Sequence, residues 1–431
     1  MQRYDYPAIG ETLYCDTLRS GLRLQVVTKP GYARSHAMLA VNYGGADRRF
    51  LLKGKRRDTP MGVAHYLEHK MFAMPEGDAM FTMAASGAQP NAFTSAWMTA
   101  YYFDTTEEFE TNLRTLLRFV STPYFPEESV EKERGIIGQE IAMTEDDPDF
   151  VSYTELLRSL YAHHPLRDPV VGTAESIQAI TPKVLELCHK VFYHPSNLAL
   201  TVVGDVEPEQ VMFTASEILR PSPDPAPVRD YGEAEAPEPQ RRRFTRAMEV
   251  SAPQFLLGVR LPDPGTGPER LRRRLLGDLT LSCLYRQSTP FFTRLYGEGL
   301  LNTDFFTEID TGRGTATLLA GGESREPERV FDRFLELAER VASEGLDEAV
   351  FARKKKAFYG KSVRGLAAFG GLCENLAEAA FGGYRFLDAF AVLESLRAED
   401  VQDYVRQALR REGFAMSVIR PLREKEAESH A

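Results

Sequence analysis

The sequence predicts a mixed α/β (α+β) protein built as two copies of one unit, and three observations lead there. A length of 431 residues, with 43% hydrophobic and 26% charged side chains, suits two soluble domains of ordinary composition better than one oversized core. A stretch rich in Pro, Glu and Asp, PSPDPAPVRDYGEAEAPEPQRRR, breaks the apolar periodicity at the middle of the chain. The segments on either side of it repeat each other.

The repeat is clearest at the ends of the two halves. IQAITPKVLELCHKVFYHPSNLALTVV reads as a short apolar pair, a helix opening near Thr181 with Pro182 in its first turn, and then a strand. LESLRAEDVQDYVRQALRREGFAMSVI has the same order. Ile177 aligns with Leu393, Leu185 with Val401, Leu200 with Met416 and Val202 with Val418, all at an offset of 216 positions. The early strand AMLAVNY, Ala37–Tyr43, corresponds roughly to QFLLGVR, Gln254–Arg260. Residues 1–220 and 244–431 are therefore expected to be two copies of one unit. Positions 221–243 read as a semi-extended linker that cannot form a core element.

Composition excludes several classes. The net charge of −10 disfavours nucleic acid as a partner, and the short basic runs Arg241–Arg243 and Lys354–Lys356 read as solvated faces. No basic n-region precedes an apolar run at MQRYDYPAIG, and no window approaches a membrane span, so a cytoplasmic protein without membrane attachment is expected. Cys15, Cys188, Cys283 and Cys373 show no C-x-x-C pairing, which argues against both a disulfide framework and a thiolate zinc site.

Chemistry concentrates in HYLEHKMF, His65–Phe72. On a helix each residue advances about 100°, so His65 and His69 stack on one face with Glu68 beside them. H-x-x-E-H is the reverse of the zinc-peptidase order H-E-x-x-H. The repeat offset carries HYLEH onto LSCLY, Leu281–Tyr285, where no ligand survives, so the polar cluster of the first copy looks like an addition for chemistry. A catalytic zinc needs a third protein ligand. His163, His164, His189 and His194 read as surface or capping residues. PEESVEKERGIIGQEIAM, Pro126–Met143, opens as a helix N-terminus should and carries Glu133 and Glu140 two turns apart on nearly one face. One of the two would bind metal while the other supports it. Glu140, among Ile136, Ile137, Ile141 and Met143, is expected near the buried side, where a metal would resolve the cost of a carboxylate.

These motifs together resemble the pitrilysin or insulinase family of zinc peptidases, which includes the mitochondrial processing peptidases. EKERGIIGQE, Glu131–Glu140, is similar to that family's EKExxxxxxE helix, and GAQPNAFTSAWMTAYYFDT, Gly87–Thr105, to its GxxxNAxTxxxxTxYxF segment. The resemblance spans nearly the whole chain and is nearest to the zinc-bearing member of bacterial paired peptidases. It implies two homologous domains, each a mostly antiparallel sheet packed with helices, together forming half of a clamshell chamber. It implies that residues 1–220 are the zinc-binding domain and 244–431 a degenerate copy without ligands. His65, His69 and Glu140 would hold Zn2+ with a water in the fourth position, Glu68 would be the general base, and Glu133 would support a ligand from behind. NAFTS reads as a strand, and by the resemblance Asn91, Ala92 and Phe93 would contact an extended peptide substrate added at a sheet edge.

One departure stands out. Members of the family that act alone carry an Arg and then a Tyr in a stretch that here reads LYGEGLLN, with Tyr296 at the Arg position and Asn302 at the Tyr position. This favours a partner, as a homo- or heterodimer with a related subunit. Two other readings compete: a non-catalytic scaffold subunit of the same family, and a zinc hydrolase of a non-peptide substrate.

Overall fold

The computed structural model describes residues 1–422, and these divide into two compact units. The first takes residues 1–141, 168–231 and 363–387. Its sheet has seven strands: β1 Gln2–Tyr6, β2 Glu11–Thr17, β3 Arg23–Thr28, β4 Ser35–Val41, β5 Gln89–Thr94, β6 Thr99–Thr105 and β7 Leu198–Gly204, ordered β1-β2-β3-β7-β4-β6-β5. Every neighbouring pair is antiparallel except β3 with β7. The central strands β4, SHAMLAV, and β7, LALTVVG, are buried along their whole length, so both faces of the sheet are covered there. β1 and β5 lie at the edges and carry exposed residues.

The second unit takes residues 142–167, 232–362 and 388 onward. Its sheet contains β8 Arg243–Met248, β9 Gln254–Leu261, β10 Phe306–Thr311, β11 Ala316–Glu323 and β12 Phe414–Pro421, ordered β8-β12-β9-β11-β10. Strand for strand this repeats β3-β7-β4-β6-β5, down to a single parallel pair, β8 with β12. A shared order that includes the one crossover pairing is much harder to reach by chance than a shared helix–strand pattern. The two units are homologous copies of one fold. Positions 423–431 of the expected second domain lie outside the described residues.

The units are not cut where the expected boundaries, 1–220 and 244–431, would place them. Helix Phe369–Gly382, late in the sequence, packs on β4 and β7 of the first unit. Gln25 Nε2 donates to the Leu376 carbonyl and Thr201 Oγ1 to the Cys373 carbonyl, both at 3.1 Å. Helix Pro148–Leu160, from the first half, packs on β9 and β12 of the second unit. Tyr161, just after it, bonds Thr315 and Thr317 at 2.7 Å. The physical reason is coverage: each sheet buries one face against helices of its own half, and its other face takes a helix from the opposite half.

The segment 221–243 is better anchored than its composition suggests. Val228–Arg229 pairs as a strand with Phe50–Leu51. Asp47, fully buried, accepts from Arg229 Nε at 2.9 Å, from the Tyr231 hydroxyl at 2.8 Å and from the Gly44 N–H at 3.0 Å. Farther along, the Glu235 carboxylate accepts from the successive N–H groups of Ala162, His163 and His164 at 2.8, 2.7 and 2.8 Å. A Pro- and acid-rich composition hides such anchors, because each is a single residue whose partner is distant in sequence.

Candidate metal centre

The site lies in the first unit, on two helices. Helix α1, Val63–Met71, starts at Gly62, whose φ of 85° is left-handed. A Cβ there would stand 2.6 Å from the Val171 carbonyl oxygen, so glycine is required for the loop to approach and set the helix start. Helix α2, Glu127–Glu145, packs Val130, Ile137 and Ile141 into the core. Those three positions leave its Glu133 and Glu140 row facing α1.

His65, His69 and Glu140 converge. His65 Nε2 is 3.4 Å from Glu140 Oε1, His69 Nε2 is 3.7 Å from Glu140 Oε2, and one ligand atom from each of the three residues lies within 4.8 Å of the others. Ligand bonds of about 2.1 Å in a tetrahedron put neighbouring donor atoms about 3.4 Å apart, close to the two His–Glu separations here, which are longer than a good direct hydrogen bond. The donor set, two imidazoles and a carboxylate, suits zinc. Glu140 is 38% exposed, so the centre is open on one side. This differs in part from the expectation for that helix face: Ile137 and Ile141 are buried, but Ile136 and Met143 are exposed.

The surrounding groups hold the three in place. Glu133 Oε1 lies 3.1 Å from His69 Nδ1, and Glu133 Oε2 accepts from Lys70 Nζ at 3.1 Å. Hydrogen bonding to His69 is the main influence lowering the Glu133 pKa, against the effect of burial. His65 does the same for Glu140. Burial pulls the His69 pKa down, yet the Glu133 hydrogen bond and the charges of Glu68, Glu133 and Glu140 together outweigh it and raise the imidazole above its ordinary value. A metal bound by these three groups would displace protons, so its affinity would fall with acidity.

Glu68 is buried beside the histidines without belonging to the triad, and Thr94 Oγ1 donates to its Oε2 at 2.6 Å. One carboxylate oxygen is thus fixed by a hydroxyl from β5. The same strand carries Asn91, Ala92 and Phe93, and among the described residues it is an edge strand paired with β6 alone. Asn91 is exposed and its Oδ1 accepts the Ala92 N–H at 2.8 Å. Sequence reasoning gave no role to Thr94 or Lys70. Thr94 stood inside the quoted NAFTS stretch and Lys70 directly after the histidine pair, so proximity was the only available signal.

The remaining histidines join no metal-competent group among the described residues. His194 caps the turn at Ser196, as expected of a capping residue. His189 departs from expectation: it is buried, bonded to the Val120 carbonyl at 3.0 Å, and burial lowers its pKa to about 4. In the second unit, Leu281, Leu284 and Tyr285 are buried, and Tyr285 stacks on Phe334 with centroids 3.8 Å apart. Core packing occupies the positions that carry the candidate ligands in the first copy. Tyr296 is exposed, Asn302 donates to Glu323 at 3.0 Å, and the neighbouring Arg294 is paired with Glu298 at 2.9 Å.

Comparison with known proteins places these features in context. Residues 52–174 match the model of the insulinase family, peptidase family M16, and residues 179–358 match that of the peptidase M16 inactive domain. The chain is 33% identical over 426 residues to YmfH of Bacillus subtilis, named an uncharacterized zinc protease, covering 97% of this chain and 98% of the relative. An uncharacterized zinc protease of Streptomyces coelicolor is 27% identical over 95% of this chain and 90% of its own length. Among solved structures, a putative M16-like peptidase from Alicyclobacillus acidocaldarius is 33% identical with a TM-score of 0.92, covering 97% of this chain and 99% of the other. Pitrilysin, at 15% identity and a TM-score of 0.76, shares the fold over 96% of this chain and 45% of its own.

Proposed function

The chain belongs to the insulinase (M16) family of peptidases, and from that premise we propose that it is a zinc metallopeptidase cleaving peptides or small unfolded polypeptides. The observation that carries the reading is the convergence of His65, His69 and Glu140 from two helices, with Glu68 beside them and outside the ligand set. When bound, zinc would supply Lewis acidity and a water made acidic enough to attack near neutral pH. Glu68 is the proton acceptor for that attack and afterwards the donor to the leaving amine. Thr94 holds one Glu68 oxygen, which leaves the other for the proton. Asn91, Ala92 and Phe93 offer an edge to which an extended peptide adds by backbone pairing, a mode that tolerates many side chains.

Partnership is the second part of the proposal. Tyr296 and Asn302 stand where lone-acting members carry Arg and Tyr, and Arg294 is engaged by Glu298. A related subunit, identical or different, would complete an enclosed chamber. The test combines metal analysis with a mixed-peptide cleavage assay on the wild type and Glu68→Gln. The variant should keep its zinc and lose at least about 10²–10³ of the rate, the scale of a lost general base. Zinc without peptide products from the wild type in its associated as well as its monomeric form would indicate a different hydrolase; neither zinc nor products would indicate a scaffold.

A further inference from the structure

Lys70 follows the second histidine directly and is buried, with its side chain 5% exposed. An ammonium in such a place is costly unless it is paired. Its Nζ donates to Glu133 Oε2 at 3.1 Å and to Ser129 Oγ at 2.7 Å. Ser129 and Glu133 are four residues apart on α2 and so present themselves together. The other Glu133 oxygen meets His69 Nδ1 at 3.1 Å.

This arrangement fixes a rotor at both ends. A carboxylate held by one oxygen can still turn about its side-chain torsions, carrying the imidazole it contacts with it. Here the second oxygen is tied to a buried cation that is itself tied to Ser129. An ionised carboxylate only accepts, so the hydrogen of the histidine contact sits on Nδ1, which leaves Nε2, the ring atom nearer Glu140, as the one that could ligate a metal.

We propose that Lys70 is a positioning residue of the metal centre: acting through Glu133, it fixes the orientation of the His69 imidazole and thereby strengthens zinc binding. The proposal rests on the reading of His65, His69 and Glu140 as a zinc site. It is tested by zinc affinity, measured by chelator competition on the full chain, for wild type, Lys70→Met, Glu133→Gln and the double variant. Lys70→Met should bind zinc about tenfold more weakly, the low end for groups behind a ligand. In the Glu133→Gln background it should cost nothing more, because residues acting through one another are not additive.

A purely structural lysine would lower the melting temperature and leave zinc affinity unchanged, and that result overturns the proposal. Equal losses in both backgrounds overturn it as well, since Lys70 would then act by another route. Should Lys70→Met fail to fold, Ser129→Ala, which removes one of the two groups holding the ammonium, should weaken zinc measurably but by less than about tenfold. Unchanged affinity in that variant rejects the idea. Absence of zinc binding by the wild type rejects the metal-site reading, and this inference falls with it.

Discussion

His189 shows how much a single buried side chain can contribute to acid sensitivity. Burial lowers its pKa to about 4, partly offset by the hydrogen bond to Val120, against about 6.5 in an unfolded chain. Between those values the unfolded state binds a proton that the folded state refuses, so stability rises with pH across that window. The His189 contribution is complete above about pH 6.5 and is lost as pH falls toward 4, about 3 kcal/mol in all at about 1.4 kcal/mol per pKa unit. Urea unfolding at pH 7, 5.5 and 4.5 should show a shallower pH dependence in His189→Gln than in the wild type. Identical slopes would assign the acid sensitivity to other groups. At this scale the sequence was partly legible. His65, Glu68 and His69 announce themselves because the helical period puts them together within five residues. His189 was misread as a surface or capping residue, because burial at a helix end depends on what covers it, here the Val120 carbonyl some seventy positions earlier.

Among elements, α1 depends on its first turn. The left-handed Gly62 and the left-handed Gly172 face each other so closely that a Cβ on either would meet backbone of the other segment, at 2.6 Å from Val171 O and 2.8 Å from Met61 O. Gly62→Ala should cost about 1–3 kcal/mol from backbone conformation alone. Because His65 is one turn away, zinc affinity should fall with it. A melting curve and a metal titration on the same sample check both, and a variant that matches the wild type in each would show that the 171–172 loop can yield. The strands and helices that place the site were largely readable: the strand carrying Asn91, Ala92 and Phe93, the acidic opening of α2, and the Glu133–Glu140 spacing follow from local pattern, whereas the strand's place at the sheet edge came only from the family resemblance. Glu140 was expected nearer the buried side than its half-exposed position, because Ile136 and Met143 turn outward. Nothing local marks Asp47 as the anchor for Arg229 and Tyr231, since that contact joins positions more than 180 apart.

At the scale of the whole molecule, the duplication was visible as a constant offset, and the matching strand orders confirm it. The membership of the two units was not visible, since the offset reports ancestry while coverage of a sheet face depends on which helix arrives there. The purified chain, kept monomeric, should turn over peptides slowly, and light scattering combined with a peptidase assay across a concentration series should show activity rising with association. Brisk turnover by a proven monomer would remove the partner from the proposal.

The crossed helices also constrain how the molecule comes into being. When a ribosome has released only the first half, β4 and β7 exist but the segment 363–387 that shields them has not yet been made. The nascent product must wait with an oily surface bare until translation is nearly finished, the condition in which chains clump. Cutting the gene at the proline-rich stretch should therefore yield two insoluble pieces that dissolve only when they are expressed together.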